Sequence, residues 1–260
     1  MIINMTELTQ KLRKMVASLG TAKGRKEHGC FVAEGTKCVV DTWPFFSCRY
    51  LFATAEWIEQ NAASLDGAQP IEAKRADIQQ MSQLTTPSSV IAVYEIPQSV
   101  LDETVVNEQL VIALDRVQDP GNLGTIMRVA DWFGISHIVC SRDTVDVYNP
   151  KVVQATMGAI SRVKVHYVDL PDFIARHRDV PVYGTLLDGD NIYETPLQNH
   201  GLVVMGNEGQ GLSDDVKAMV SHRLLIPSYP PERPTSESLN VGMATAITIA
   251  EFRRQAGLKK

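Results

Sequence analysis

An α/β fold, with a mostly parallel sheet covered by helices on both faces, is predicted by three observations. Between residues 109 and 255 short apolar stretches alternate with stretches of helical period. The apolar stretches, such as Leu110–Leu114 and Leu202–Met205, are nearly continuous, which marks strands buried on both faces rather than strands with one wet face. Turn-forming residues follow several of them, at Asp119, Pro120 and Gly121 and again at Gly206, Gly209 and Gly211.

The elements follow in order. Residues 5–18 carry Leu8, Leu12 and Met15 on one side, with Leu19 just beyond, which predicts a helix. Residues 24–29 read as a polar loop and Cys30–Ala33 as a strand. Further strands are predicted at 49–53, 70–73 and 89–96, and helices at 36–43, 55–62 and 75–83, giving a small α/β domain over 1–97. Residues 98–108 are polar and poorly patterned and are predicted to be a linker. The second domain, 109–260, has predicted strands near 109–114, 137–140, 163–167, 181–187, 202–205 and 223–226. Its helices are predicted near 122–133, 150–160, 170–177, 213–220 and 239–255.

Composition narrows the class. Apolar residues make up 44% of the chain, as in ordinary globular proteins. No run reaches the roughly 18 apolar residues of a membrane span, and the start turns polar by Asn4, so a cytoplasmic protein is expected. Cys30, Cys38, Cys48 and Cys140 form no Cys-x-x-Cys pair and are expected to be reduced and buried. The six histidines form no His-Glu-x-x-His pattern, so no metal is expected. The net charge of −5 argues against a simple basic nucleic-acid binder. Residues 1–40, however, hold seven Lys or Arg against three acids, and such a local basic face suits phosphate contacts as well as it suits a solvated helix.

Three segments carry chemistry. After Leu114, a helical pattern at Leu123, Ile126, Met127, Ala130 and Phe133 ends at Gly134, with Gly124 and Arg128 on one face. Taken alone, Arg128 reads as a surface arginine. After Met205, three glycines in six residues surround Asn207 and Glu208, and Ser213 stands where it can cap a helix that begins with Asp214 and Asp215. After Leu224–Pro227 comes a Pro-rich stretch and then Ser238–Ala246. Each segment follows a predicted strand, and Gly184–Asp188 is a fourth. Ligands of open parallel sheets bind at such strand ends, so the segments predict one site.

Together these segments resemble the signature motifs of the SpoU (TrmH) family of RNA 2′-O-ribose methyltransferases. The matching residues are Asn122 and Gly124 with Arg128, then Gly206–Ser213, then Ile226 and Pro227 followed by Ser238–Val241. The likeness covers about residues 109–255; weaker likeness at Lys11–Lys14 and Phe31–Gly35 extends to the small L30e-like α/β substrate-binding domain of many members. The resemblance implies a C-terminal trefoil knot, which periodicity could not predict. It implies S-adenosylmethionine as cofactor, a homodimer through the C-terminal domain, and structured RNA as substrate, rRNA before tRNA. It implies catalytic roles for Arg128, Asn122, Glu208, Ser238 and Asn240. Cofactor contacts are implied at Thr185, Leu186, Gly206, Asn207, Gly209, Ile226, Ser238 and Leu239. RNA contacts are expected at Lys11, Arg13, Lys14, Lys23, Arg25 and Lys26, foremost in the 24–29 loop.

The reaction implied is methyl transfer to a ribose hydroxyl. It requires alignment of that oxygen with the methyl–sulfur bond and help with loss of its proton. The resemblance implies Arg128 as a base assisted by a substrate phosphate; a fixed cation that holds the phosphate and stabilises the developing alkoxide is the alternative, since a guanidinium stays protonated in proteins. Asn122 is expected either to orient the ribose or Arg128 or to cap its helix, Glu208 to anchor Arg128 or shape its loop, and Ser238 and Asn240 to serve the site or cap the last helix. The chain departs from the family pattern at Ser228, at Val129, at Gly242-Met243 and in a longer stretch between Ile226 and Ser238 that holds Tyr229–Thr235. A non-catalytic RNA-binding or cofactor-binding relative is the alternative. A dinucleotide-dependent oxidoreductase is disfavoured, since a full Gly-x-Gly-x-x-Gly is absent and the two later segments would be left without a role.

Overall fold

The computed structural model describes residues 8–61, 63, 65–230 and 236–257. The start of the predicted first helix and the end of the Pro-rich stretch lie outside these. The chain divides into two units, Met1–Gln98 with Asp146–Ser161, and Ser99–Val145 with Arg162–Lys260.

The first unit opens with α1 (Gln10–Ser18), where the Thr9 hydroxyl accepts from the Leu12 N–H. Of residues 24–29, expected to be a loop, 24–28 belong to a second helix, α2 (Ala22–His28), and Gly29 is its C-cap. Thr21 caps it by accepting from the Gly24 N–H at 3.0 Å, and Gly29 ends it with φ 61°. A Cβ at Gly24 would lie 2.1 Å from the Ser18 carbonyl oxygen, so glycine is needed where α2 meets the end of α1. The helix escapes prediction because its buried positions are a glycine and an arginine, not a periodic apolar stripe.

The sheet of this unit contains β1 (Cys30–Glu34), β2 (Cys48–Ala53), β3 (Ile71–Glu72) and β4 (Val90–Glu95). Their order is β1-β4-β2-β3, with β4 antiparallel to both neighbours and β2 parallel to β3. Helices α3 (Thr36–Thr42), α4 (Ala55–Asn61) and α5 (Arg75–Met81) complete the N-terminal part. One core joins Leu12 and Val16 of α1 to Phe52, Ile78, Met81 and Ile91. Elsewhere on this sheet Phe31 meets Phe46, Tyr94 and Tyr148, the last with ring centroids 4.7 Å apart. Tyr148 leads into α8 in chain order (Pro150–Ala155), whose Val152 and Val153 are buried. A stretch expected to be a crossover helix of the second domain thus supplies core to the first unit.

The second unit begins before residue 109. Within 98–108, expected to be a linker, α6 (Val105–Glu108) buries Val106 in the core of this unit, and Leu101 and Val105 pack beside it. Six strands follow, β5 (Leu110–Leu114), β6 (His137–Ser141), β7 (Lys164–Val168), β8 (Val182–Asn191), β9 (Gly201–Met205) and β10 (His222–Leu225). Their order is β10-β8-β9-β5-β6-β7 and every neighbouring pair is parallel. All five residues of β5 and of β9 are buried, as their continuous apolar sequences require. The helices are α7 (Pro120–Trp132), α9 (Leu170–Arg176), α10 (Asp214–Lys217) and α11 (Val241–Gln255). α7 and α11 pack closely, since a Cβ at Gly242 would lie 2.9 Å from the Thr125 methyl.

Two features of this sheet position the site. β5 lies between β6 and β9, so the winding of the sheet reverses there and opens a crevice at the carboxyl ends of the strands. In β8 the pairing with β10 jumps from Gly184 to Asp190, so residues 185–189 bulge out of register. The four cysteines are free; Cys30, Cys38 and Cys140 are buried as expected, whereas Cys48 is only half-buried.

Candidate active site

The reversal point gathers the three segments. Asp115, directly after β5, is buried; its backbone N–H donates to the Met205 carbonyl and its carboxylate accepts from the Ser213 N–H at 2.6 Å. Ser213 occupies the N-cap position of α10 without a side-chain capping bond. Asp119 caps α7 by accepting from the Asn122 N–H at 2.8 Å, with Pro120 in the first turn. Asn122 is therefore inside α7, not its cap, and its side chain is available for other bonds.

The glycine-rich loop after β9 is closed on itself. Asn207 and Gly211 exchange two backbone hydrogen bonds, and Gly211 has φ 68°. A Cβ at Gly206 would lie 2.4 Å from the Gly211 carbonyl carbon, so this turn admits only glycine. The Asn207 carboxamide oxygen accepts from the N–H groups of Gly209 and Gln210, and its nitrogen donates to the Arg116 carbonyl at 2.9 Å. Its side chain holds the loop to the end of β5.

Glu208 and Asn240 meet at Asn122. The Asn122 carboxamide nitrogen donates to the Glu208 carboxylate at 2.7 Å, and the Asn240 carboxamide donates to the Asn122 oxygen at 2.8 Å. Asn240 is also the N-cap of α11, its oxygen accepting from Gly242 and Met243. Capping and site-building, alternatives in the sequence, are both realised in one side chain. Glu208, expected to anchor Arg128 or shape its loop, binds Asn122. Asn122, Thr125 and Arg128 form an i, i+3 row on α7, and Gly242 abuts Thr125 in that row. Arg128 is exposed, and among the described residues its side chain makes no hydrogen bond or ion pair. Gly124 is buried while Arg128 faces solvent.

Of the positions expected to hold a cofactor, Thr185 and Leu186 lie in β8, Gly206 directly follows β9 and Ile226 directly follows β10. Thr185 stands beside Met205, its hydroxyl 3.7 Å from the thioether sulfur. Gly206 and Ile226 follow the two flanking strands and are half-buried. Leu186 is half-buried, while Leu187 and Leu239 are 77% and 49% exposed. A Cβ at Gly209 would meet nothing closer than 3.8 Å. Ser238 is exposed next to Leu239. A cavity of about 310 Å³ lies farther along β8 and β10, lined by Asp188, Asp190, Ser221 and Arg223 among others, and contains none of these residues.

Sequence reasoning missed Asp115, Arg116 and Gln210. A charged pair directly after a fully buried strand was the available signal, because a carboxylate there needs donors.

Of the six cations expected to contact RNA, the first unit exposes four, Lys11, Lys14, Lys23 and Lys26. Arg13 is paired with Asp77 across α1 and α5. Arg25 is 3% exposed; its guanidinium binds the Asp146 carboxylate at 2.6 and 2.8 Å and the Leu19 carbonyl at 2.9 Å. Arg25 is thus a core residue of the first unit, buried because the supposed loop is a helix packed against the 146–161 segment.

An all-parallel sheet with three signature loops fused at its reversal point defines a class, and comparison with known proteins agrees. The SpoU rRNA Methylase family model matches residues 109–250, and the MRM3-like substrate binding domain matches residues 11–92. The chain belongs to the SpoU rRNA methylase family, which implies the trefoil knot. It is 30% identical to an uncharacterized tRNA/rRNA methyltransferase of Synechocystis sp., over 98% of this chain and 94% of the relative. It is 32% identical to the 23S rRNA guanosine 2′-O-methyltransferase RlmP of Bacillus subtilis, over 66% of this chain and 68% of the relative. Among solved structures, an AdoMet-bound rRNA methyltransferase from Sinorhizobium meliloti matches with a TM-score of 0.84 at 31% identity, covering 98% of this chain and 97% of the other.

Proposed function

We propose that this protein transfers the methyl group of S-adenosylmethionine to a ribose 2′-hydroxyl of ribosomal RNA. The observation that carries this reading is the hydrogen-bonded chain Glu208–Asn122–Asn240, which joins three segments remote in sequence at the reversal point, on the helix ridge of Arg128. The activities named for RlmP and the Sinorhizobium enzyme support it.

S-adenosylmethionine, when bound, supplies a methyl group made electrophilic by its sulfonium. Thr185, Leu186, Gly206, Gly209, Ile226, Ser238 and Leu239 would hold it, through apolar side chains and the open backbone of the glycine loop. Asn207 serves that site indirectly, by shaping the loop. The hydroxyl oxygen would take the methyl group as the thioether product leaves, and its proton would pass to solvent water at this exposed site; Arg128 remains protonated, holds a phosphate of the substrate and stabilises the oxygen as the proton leaves. Asn122, fixed from both sides, orients the ribose. The exposed lysines of the first unit add affinity for the RNA backbone. The reading includes work in the cytoplasm as a homodimer through the second unit; Trp132 of α7 and Met243 of α11, 85% and 60% exposed, support such an interface.

Calorimetric titration with S-adenosylmethionine, with NAD as control, followed by transfer of labelled methyl to rRNA and tRNA, tests the reading. Binding of the first compound alone and label on a ribose of rRNA is the expected result. Label confined to tRNA or to a base overturns the substrate assignment, and absence of cofactor binding with RNA present overturns the enzyme assignment.

A further inference from the structure

Arg116 stands where the chain turns from β5 toward α7, and its backbone has φ 59°. Glycine or asparagine occupies this left-handed region at little cost; an arginine there carries strain that something must offset. Its backbone does not explain the choice. The Arg116 N–H donates to the Ser141 hydroxyl and its carbonyl accepts from Asn207, both at 2.9 Å, and a glycine would make the same bonds. The reason lies in the side chain.

That side chain is aimed but not neutralised at its tip. Nε is buried without a hydrogen bond, 3.5 Å from an Asp115 oxygen, while Asp115 also serves the Ser213 N–H. Nη1 donates to the Gln210 side chain at 3.2 Å, a neutral partner two residues from Glu208. The side chain is 30% exposed, and among the described residues Nη2 donates no hydrogen bond. A guanidinium is thus fixed at its base by the ends of β5 and β6 and by the glycine loop. Its outer edge stays open beside the glycine loop, which carries Gln210 and, through Glu208, holds Asn122. A planar fork so held matches two oxygens of a phosphodiester.

We propose that Arg116 is a substrate-positioning residue, its outer edge binding a backbone phosphate of the RNA and thereby setting the ribose at Asn122 and Arg128. The inference rests on the RNA-methylating reading given above and deepens it. Gln210 holds the cation without cancelling its charge, as a carboxylate there would.

Arg116→Gly is the informative variant, because it removes the side chain and relieves the left-handed strain. Relief of that strain opposes the loss of the ion pair with the buried Asp115, so the thermal midpoint stays close to that of the parent. RNA affinity and KM for RNA weaken about tenfold, with the salt dependence of binding reduced by about one phosphate contact. Affinity for S-adenosylmethionine stays unchanged. Arg116→Lys restores the charge without the fork and recovers part of the loss, and Gln210→Glu weakens RNA binding. An Arg116→Gly protein that binds RNA with unchanged affinity and salt slope overturns the proposal. So does weakened cofactor binding, which would assign the guanidinium to the cofactor's carboxylate. RNA binding is read without turnover, so a parent that binds RNA but transfers no methyl breaks the enzyme reading and leaves this one standing.

Discussion

The crevice of the second unit and the exposed lysines of the first, both proposed above to meet RNA, are built on opposite plans. In the crevice several polar side chains are bonded to one another or to the loop backbone. Asn207 makes three hydrogen bonds within the site, Asn122 is held by Glu208 and Asn240, and Asn240 also caps α11. On the basic face the exposed cations Lys11, Lys14, Lys23 and Lys26 stand on helix surfaces, while the two arginines are spent on internal ion pairs. Chemistry needs geometry fixed in advance, whereas attraction to a polyanion needs only charge at the right side. Lysine on a flexible stem serves the second purpose, and paired carboxamides serve the first.

Mutations break this contrast at different points. Arg128→Ala has the largest effect; loss of the cation at the reacting oxygen lowers kcat by about 10²–10³-fold, with cofactor affinity within twofold by calorimetry. Equal turnover by that variant would remove Arg128 from the chemistry. Asn122→Ala leaves Glu208 and Asn240 without their shared partner. It should lower kcat by about 10–100-fold and reduce stability by about 1–2 kcal/mol in urea titration. If stability falls while kcat does not, the bonded chain is a scaffold only.

Arg25→Met probes the other region. It deletes three hydrogen bonds from the interior of the first unit, and about 1–3 kcal/mol of stability should go with them, because Asp146 is half-exposed and can rehydrate. The salt dependence of RNA binding should not change, since the side chain is not at the surface. Joint replacement of Lys11, Lys14, Lys23 and Lys26 by Gln is expected to act in reverse. Stability stays within about 0.5 kcal/mol, and the slope of log affinity against log salt becomes shallower by about one to three. An unchanged slope would make these lysines an ordinary solvated face.

The strands of the second unit were legible because burial on both faces leaves an unbroken apolar signature, as in Leu110–Leu114 and Gly201–Met205. The glycine loop was legible for a related reason, since Gly206 has backbone on the side where a Cβ would stand. Three kinds of feature were not. Helix α2 hides only Gly24 and Arg25, so no apolar period announces it. The segment 146–161 carries the Val, Tyr and Ile content of any crossover helix, and nothing local says which sheet it covers. The partners of Asn122 lie 86 and 118 residues away, and a carboxamide at a helix start is equally suited to a cap.

What the sequence by itself determined, then, is what short-range rules control: which stretches are strands, which helices follow them, where the chain must turn on glycine, and which strand ends share one site. The tertiary structure decided what depends on which distant group fills a bond or a space. It made Arg25 a core residue, gave Asn240 two tasks, lent residues 146–161 to the first unit and set Arg116 in a left-handed turn beside Gln210. The physical reason is that periodicity and propensity act over a few residues. A buried charge or a paired carboxamide is satisfied by whatever the fold brings within about 3 Å.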